Sequence, residues 1–221
     1  MKIITEERRI VIRNGASRVF IEPWGENSVR VRMTAEAQMD DHDWALCEKV
    51  KEITPVITQT TVDMTDPWYR GEEWKKYHYT GTEYTMVIGK LTVKVNAEGW
   101  ISFYNQKGDL LTQEYWRVPI RIPARELKPI TGTSDYELTA RFEAFDDEKI
   151  FGMGQYQEKN LNKKGAMLEL AHRNSQASVP FMVSSRGYGF FWNNPAIGTA
   201  VFGANKTEWY AKSTKKLDYF I

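Results

Sequence analysis

The chain has 221 residues, with 30 Lys plus Arg against 29 Asp plus Glu and a formal charge of +1, so neither nucleic acid nor an anionic membrane has a global electrostatic claim on it. Apolar residues at 42% suffice for a real core and exclude general disorder, and one domain spanning 1–221 fits the length. A single cysteine, Cys47, excludes an internal disulfide, and with three scattered histidines it leaves no zinc-ligand spacing, so neither metal nor cofactor is expected. The opening Met1-Lys2-Ile3-Ile4-Thr5-Glu6-Glu7-Arg8-Arg9 carries charge where a signal peptide needs an apolar run, and no apolar stretch approaches the roughly 18 residues of a membrane span. The expectation is a soluble, cytoplasmic protein.

In chain order, Arg9 to Arg13 and Arg18 to Glu22 flank Asn14-Gly15, a pair that tolerates the positive φ of a tight hairpin turn. Ser28 to Thr34 places Val29, Val31 and Met33 on one face and Ser28, Arg30, Arg32 and Thr34 on the other, which predicts a strand with one buried and one solvated face. Asp43 to Ile53 is the best helix candidate, with Asp43 as cap and Pro55 as stop. Tyr84 to Ile88, Leu91 to Val95, Trp100 to Tyr104 and Asp109 to Thr112, joined by short Gly/Asn turns, spell a β-meander. Tyr136 to Phe145 alternates again, and Pro180 to Ser185, Tyr188 to Asn193, Gly198 to Gly203 and Thr207 to Lys212 follow. Ten or more strands with at most one or two short helices predict an all-β, antiparallel β-sandwich.

Two stretches break this rhythm. Residues between Val62 and Thr80 are dense in aromatics and charge and are predicted to form a long loop, a length at which loops are commonly functional. Gly152 to Gly165 predicts an irregular crossing between sheet segments. Leu217-Asp218-Tyr219-Phe220-Ile221 is an apolar strand that stops abruptly, which leads to the expectation that the polypeptide continues.

Chemistry is sparse. Glycosidic hydrolysis needs two carboxylates facing one bond, whereas Asp40-Asp41, Glu72-Glu73 and Asp146-Asp147-Glu148 are neighbours that point apart and are expected in solvated turns. Ser184-Ser185 lacks a nucleophile elbow, and His42, His78 and His172 match no triad. Gly152-Met153-Gly154 lacks the third glycine and following helix of a dinucleotide site, so its glycines are expected to serve backbone geometry. The aromatic surplus remains: Trp68, Tyr69, Trp74, Tyr77 and Tyr79 in the long loop offer faces on which sugar rings stack, or they pack against a neighbour.

From Ile150 onward the motifs become specific. Phe151-Gly152-Met153-Gly154-Gln155, then Leu168-Glu169-Leu170-Ala171-His172-Arg173-Asn174, then Val179-Pro180-Phe181-Met182-Val183-Ser184-Ser185-Arg186-Gly187-Tyr188-Gly189-Phe190-Phe191-Trp192-Asn193-Asn194 resemble, in this order, the end of the N-terminal domain of glycoside hydrolase family 31, and most closely its α-xylosidase and related α-glucosidase branch. Residues 1–149 fit that resemblance only through their strand content.

The resemblance implies a galactose-mutarotase-like sandwich that precedes a catalytic (β/α)8 barrel, here absent, in a retaining α-glycosidase acting on terminal α-xylosides or α-glucosides. The two catalytic aspartates of the family lie in the barrel, so this chain should hold no catalytic residue and be inactive alone. Its partners would be the barrel and a glycoside or oligosaccharide. Substrate-rim residues implied are Gln155, Asn174 and the Trp68 to Trp74 loop. Relatives carry an aspartate where this chain has Asn174, so an amide replaces a charge at the rim. A barrel-facing surface left in water could drive homo-oligomerisation, and Trp192, Trp209, Tyr210 and Tyr219 are its expected members. The rival is a free-standing carbohydrate-binding or interaction sandwich without catalysis. A third reading, a sugar mutarotase, requires a histidine and a carboxylate converging in a cleft.

Overall fold

The computed structural model describes residues 1–43, 45–46, 53–65, 78–115 and 122–221. Among these residues eighteen strands run in chain order as β1 (Lys2–Thr5), β2 (Ile10–Asn14), β3 (Ser17–Pro23), β4 (Val29–Thr34), β5 (Val56–Thr65), β6 (His78–Ile88), β7 (Leu91–Val95), β8 (Ile101–Tyr104), β9 (Leu110–Gln113), β10 (Arg125–Pro129), β11 (Tyr136–Glu143), β12 (Ile150–Gln155), β13 (Met167–Leu170), β14 (Ala177–Ser184), β15 (Tyr188–Trp192), β16 (Gly198–Phe202), β17 (Lys206–Thr214) and β18 (Lys216–Phe220). They form an eight-stranded sheet, β1-β2-β3-β4-β18-β15-β14-β12, and two five-stranded sheets, β10-β11-β17-β16-β13 and the meander β5-β6-β7-β8-β9. All named pairings are antiparallel, and the all-β sandwich expected from alternation is the fold observed.

Alternation explains the core. Val29, Val31 and Met33 of β4, Leu217 and Tyr219 of β18, and Phe190 and Trp192 of β15 point inward from the large sheet, against Leu138, Ala140 and Phe142 of β11 and Trp209 of β17. At the centre Trp192 stacks on Trp209 (ring centroids 5.7 Å), Trp209 on Phe190 (4.8 Å) and Phe190 on Tyr219 (5.0 Å). Trp192, Trp209 and Tyr219 are fully buried, which corrects their expected place on an exposed face; Tyr210, on the opposite side of β17 from Trp209, is half-buried.

Three further expectations change. Arg30, Arg32 and Thr34, expected on a solvated face, are buried; over the two arginines, carboxylates from Asp218, Glu22, Asp41 and Asp43 close on the guanidinium groups. The stretch between Val62 and Thr80 is loop only in part, since β5 runs on to Thr65 and β6 starts at His78, paired Thr65 to His78. The proposed crossing at Gly152 to Gly165 begins as strand β12. Most of the helix candidate Asp43 to Ile53 lies outside the described residues, and its described members Asp43, Ala45, Leu46 and Ile53 are not helical.

Glu114 marks the seam between two sheets. It bridges to Phe142 of β11, its amide donates to the Ile101 carbonyl (2.9 Å), and its Oε2 accepts the Ile101 N–H (2.9 Å) while Oε1 lies 2.9 Å from Arg125 Nη1. Burial pushes its carboxyl from 4.5 up to about 7, with Arg125 and the Ile101 amide pulling the other way. The folded chain therefore holds this proton more tightly than the unfolded chain does. Its contribution is fully present below about pH 4.5 and is lost as pH rises towards 7, a change on the order of 3 kcal/mol. Denaturation of Glu114→Gln across that window should show a flatter pH profile than the parent; parallel profiles would contradict the assignment.

Candidate functional site

Gln155, one of the expected rim residues, ends an unusual strand. In β12, Gly152, Met153 and Gly154 all take positive φ (93°, 71° and 89°). The register to β14 breaks between them: Gly152 faces Met182, whereas Gly154 faces Ser178. One residue of β12 thus spans what three residues of β14, Val179 to Phe181, traverse, and Met153 is driven fully into the core. A Cβ at Gly154 would sit 2.2 Å from the Ala177 carbonyl oxygen, and one at Gly152 would sit 2.6 Å from that of Phe181, so only glycine fits at either place. The backbone-geometry role expected of these glycines is the one observed.

This bulge delivers Gln155 opposite Ala177 at the end of β14. The connection from β13 to β14 crosses from a five-stranded sheet to the large one, and it turns at Arg173-Asn174-Ser175-Gln176, closed by reciprocal backbone hydrogen bonds between Arg173 and Gln176 (3.3 and 3.0 Å) with Ser175 at φ 68°. Gln155 and Asn174 therefore both lie near the Ala177 end of β14, at one corner of the large sheet. Both are exposed, and among the described residues neither side-chain amide is engaged in a hydrogen bond. Trp68 and Trp74 lie outside the described residues.

The corner is braced from below. The Tyr156 hydroxyl donates to the Glu169 carbonyl (2.9 Å) and lies 2.9 Å from the Ser178 hydroxyl, which joins β13 to β14 under the turn. Arg173 grips Glu169 through two hydrogen bonds (2.8 and 2.6 Å) at the surface. Burial pushes the Tyr156 phenol up, which keeps it protonated as a donor.

Beside the corner opens a cavity of about 330 Å³, with Pro180, Phe191, Trp192 and Ile197 on its apolar side and His42, Asp43 and His172 at its polar side. A histidine and a carboxylate thus line one cavity, and a mutarotase would require the two to converge there. Asp43, however, is committed: both its oxygens accept from Arg30 (2.5 and 3.0 Å). Burial raises the Asp43 carboxyl, but the Arg30 guanidinium more than offsets this and holds it below the ordinary range. It is a structural anion rather than a free base.

Sequence reasoning missed the network behind this cavity. Asp218, fully buried, accepts from Arg30 Nε (2.9 Å) and Nη2 (2.5 Å) and from Asn193 Nδ2 (2.8 Å). Asn194 spends its amide on Thr214 (3.1 Å) and accepts the Ala196 N–H (3.0 Å), so the Asn193-Asn194 pair organises the β15 to β16 loop. A lone Asp in the apolar run of β18, aligned with two arginines on β4, was the available signal. Nor are the acidic neighbours all solvated: Glu148 is buried and accepts from Ser184 (2.5 Å) and Tyr188 (2.9 Å), whereas Asp147 is exposed. Among the described residues no group of acidic, histidine or cysteine side chains is arranged to hold a metal.

Comparison with known proteins gives a consistent picture. The glycosyl hydrolase 31 N-terminal galactose mutarotase-like domain matches residues 18–199. An uncharacterized family 31 glucosidase of Pseudescherichia vulneris is 40% identical over 219 residues, covering 91% of this chain and 37% of that protein. Alpha-xylosidase A of Aspergillus niger is 29% identical over 95% of this chain and 28% of its own length. Among solved structures, a family 31 α-xylosidase from a soil metagenome, complexed with xylose, superposes on the whole chain with a TM-score of 0.82 and 41% identity, over 32% of its length. The chain spans about a third of the length of these relatives.

Proposed function

The chain belongs to the glycoside hydrolase family 31 N-terminal galactose mutarotase-like domains, and from that premise we propose that it serves as the non-catalytic N-terminal domain of a retaining α-glycosidase that removes terminal α-xylosyl residues, with α-glucosides as the second choice. The observation that carries this is the match of the entire chain, at 41% identity, to about a third of an enzyme described as an α-xylosidase. Domain and activity are then separate: catalysis resides in the remaining two thirds, and this domain supplies rigidity and part of the pocket mouth.

The Gln155 and Asn174 corner is the part of this chain suited to that task. Two exposed amides, each with a donor and an acceptor unspent among the described residues, can hydrogen-bond sugar hydroxyls, and both stand on backbone fixed by the bulge and by Tyr156. Asn174→Ala in an enzyme carrying this domain should raise KM for xylosyl disaccharides by about tenfold or less, the value of one or two hydrogen bonds, and leave kcat for an aryl α-xyloside near the parent value. An unchanged kcat/KM on disaccharides would remove Asn174 from the rim.

A further inference from the structure

The outer strand of a sheet turns a row of unpaired N–H and C=O groups to solvent, and proteins blunt such edges with short strands, charges, proline or bulges. Among the described residues six strands stand at sheet edges, and five of them carry these features. Strands β1, β9 and β13 are four residues long, and β1 and β13 add the charges of Lys2 and Glu169. Strand β10 holds Arg125, Glu126, Lys128 and Pro129 within five residues, and β12 is broken by its glycine bulge. Strand β5 is the exception. Its ten residues, Val56-Ile57-Thr58-Gln59-Thr60-Thr61-Val62-Asp63-Met64-Thr65, include neither proline nor glycine, carry one charge, and pair with β6 in unbroken register.

Strand β5 also outruns its own sheet. Strand β7 pairs with β6 only from Tyr84 to Ile88, so the pairs from Thr60–Glu83 to Thr65–His78 stand as a two-stranded ribbon with no third strand among the described residues. Such a ribbon is marginally stable in water. Gln59, Thr60, Thr61 and Asp63 are exposed, and among the described residues no backbone hydrogen bond reaches the outer side of β5.

We propose that β5 pairs antiparallel with β5 of a second copy of this chain about a two-fold axis, joining the two meanders into one continuous sheet. Directly opposed side chains lie on the same face, so an axis perpendicular to the sheet must set one residue opposite its own copy. With Thr61 on the axis, Ile57 to Thr65 pair in full and Asp63 falls opposite Gln59, whose amide can donate to the carboxylate on both sides of the axis. Asp63 Oδ1 accepts from the Thr80 hydroxyl (2.8 Å), and among the described residues Oδ2 accepts from none. Thr60 on the axis would instead oppose Asp63 to Ile57, which offers no side-chain donor. The Thr61 register also lays Asp63 to Thr65 of each ribbon against Ile57 to Gln59 of the other copy, the part of β5 that β6 and β7 back. A second copy therefore supplies both the missing third strand and the donor for Asp63, and the arrangement is isologous and closed.

Sedimentation velocity of the 221-residue chain over a concentration series tests this. A monomer–dimer equilibrium is expected, with the amides of Ile57 to Thr65 exchanging more slowly as the dimer fills. Gln59→Asp sets a carboxylate opposite Asp63 twice per dimer and should raise the dissociation constant about tenfold, whereas Gln59→Lys sets an ammonium there and should lower it by a similar factor. Position 59 is exposed, so both variants should melt within about 2 °C of the parent at concentrations where it is monomeric. A monomer at every concentration, or a dimer whose dissociation constant moves the same way in both variants or in neither, would overturn the proposal.

Discussion

Gly154→Ala is expected to destabilise the domain by about 3–5 kcal/mol, enough to lower its melting temperature by roughly 10 °C. The added methyl would meet backbone at 2.2 Å (Ala177 oxygen) and 2.7 Å (Val179 nitrogen), neither of which can swing aside as a flexible side chain could. The φ of +89° adds its own cost. Gly165 is the control, because its φ of +87° is nearly the same but no atom lies within 4 Å of a Cβ there, and Gly165→Ala should cost only about 1–2 kcal/mol. Urea denaturation of the two variants separates packing from backbone strain. Equal losses would mean that the β12 to β14 approach is looser than its geometry indicates, and the Gln155 corner, proposed as part of the pocket rim, would lose its rigid support.

Asp218→Ala carries the second large effect, a loss of about 3–5 kcal/mol, because it strands part of a buried guanidinium. Burial alone would pull the Arg30 guanidinium down, and its hydrogen bonds to Asp218 and Asp43 more than offset that, holding it above its ordinary value. Without Asp218, Arg30 keeps Asp43 as its one carboxylate partner among the described residues, and the Asn193 amide loses its acceptor. Arg30→Met with Asp218→Leu should recover part of the loss, since removing both charges also removes the cost of burying them. Equilibrium denaturation checks both; a cost under about 1 kcal/mol for Asp218→Ala would show that the pair is worth no more than a surface ion pair.

The same pair shows where sequence reading succeeds and where it stops. Alternation at Val29 to Met33 marks a strand and its inward face, because apolar burial has a period of two. It says nothing about what lies over the outward face. Arg30 and Arg32 look solvated until Asp218, almost 190 residues away, and the segment leading to Asp43 are folded over them. Likewise Trp192, Trp209 and Tyr219 look like surplus aromatics in a count, yet they stand at inward positions of their strands and fill the centre of the core. The exposed aromatic face is carried by Phe151 and Phe181 instead, in a segment with no clean alternation because the bulge shifts register between Gly152 and Gly154. Strand β10, Arg125–Pro129, shows no apolar period at all and holds its place by pairing with β11.

The candidate corner was legible from motif order more than from pattern. Gln155 and Asn174 are 19 residues apart in sequence, and the bulge together with the β13 to β14 crossing brings them to one end of a sheet. Propensity contains neither device. The aromatic pair Trp68 and Trp74, chosen for ring stacking, lies outside the described residues, so the corner stands on the two amides alone.

Hydrolysis of p-nitrophenyl α-xyloside and α-glucoside, measured on the 221-residue chain and on a longer protein carrying it, tests the central claim most directly. The account predicts no turnover by the 221-residue chain and turnover by the longer protein with kcat/KM higher on the xyloside. Turnover by the 221-residue chain itself, or none by the longer protein on either glycoside, would contradict it.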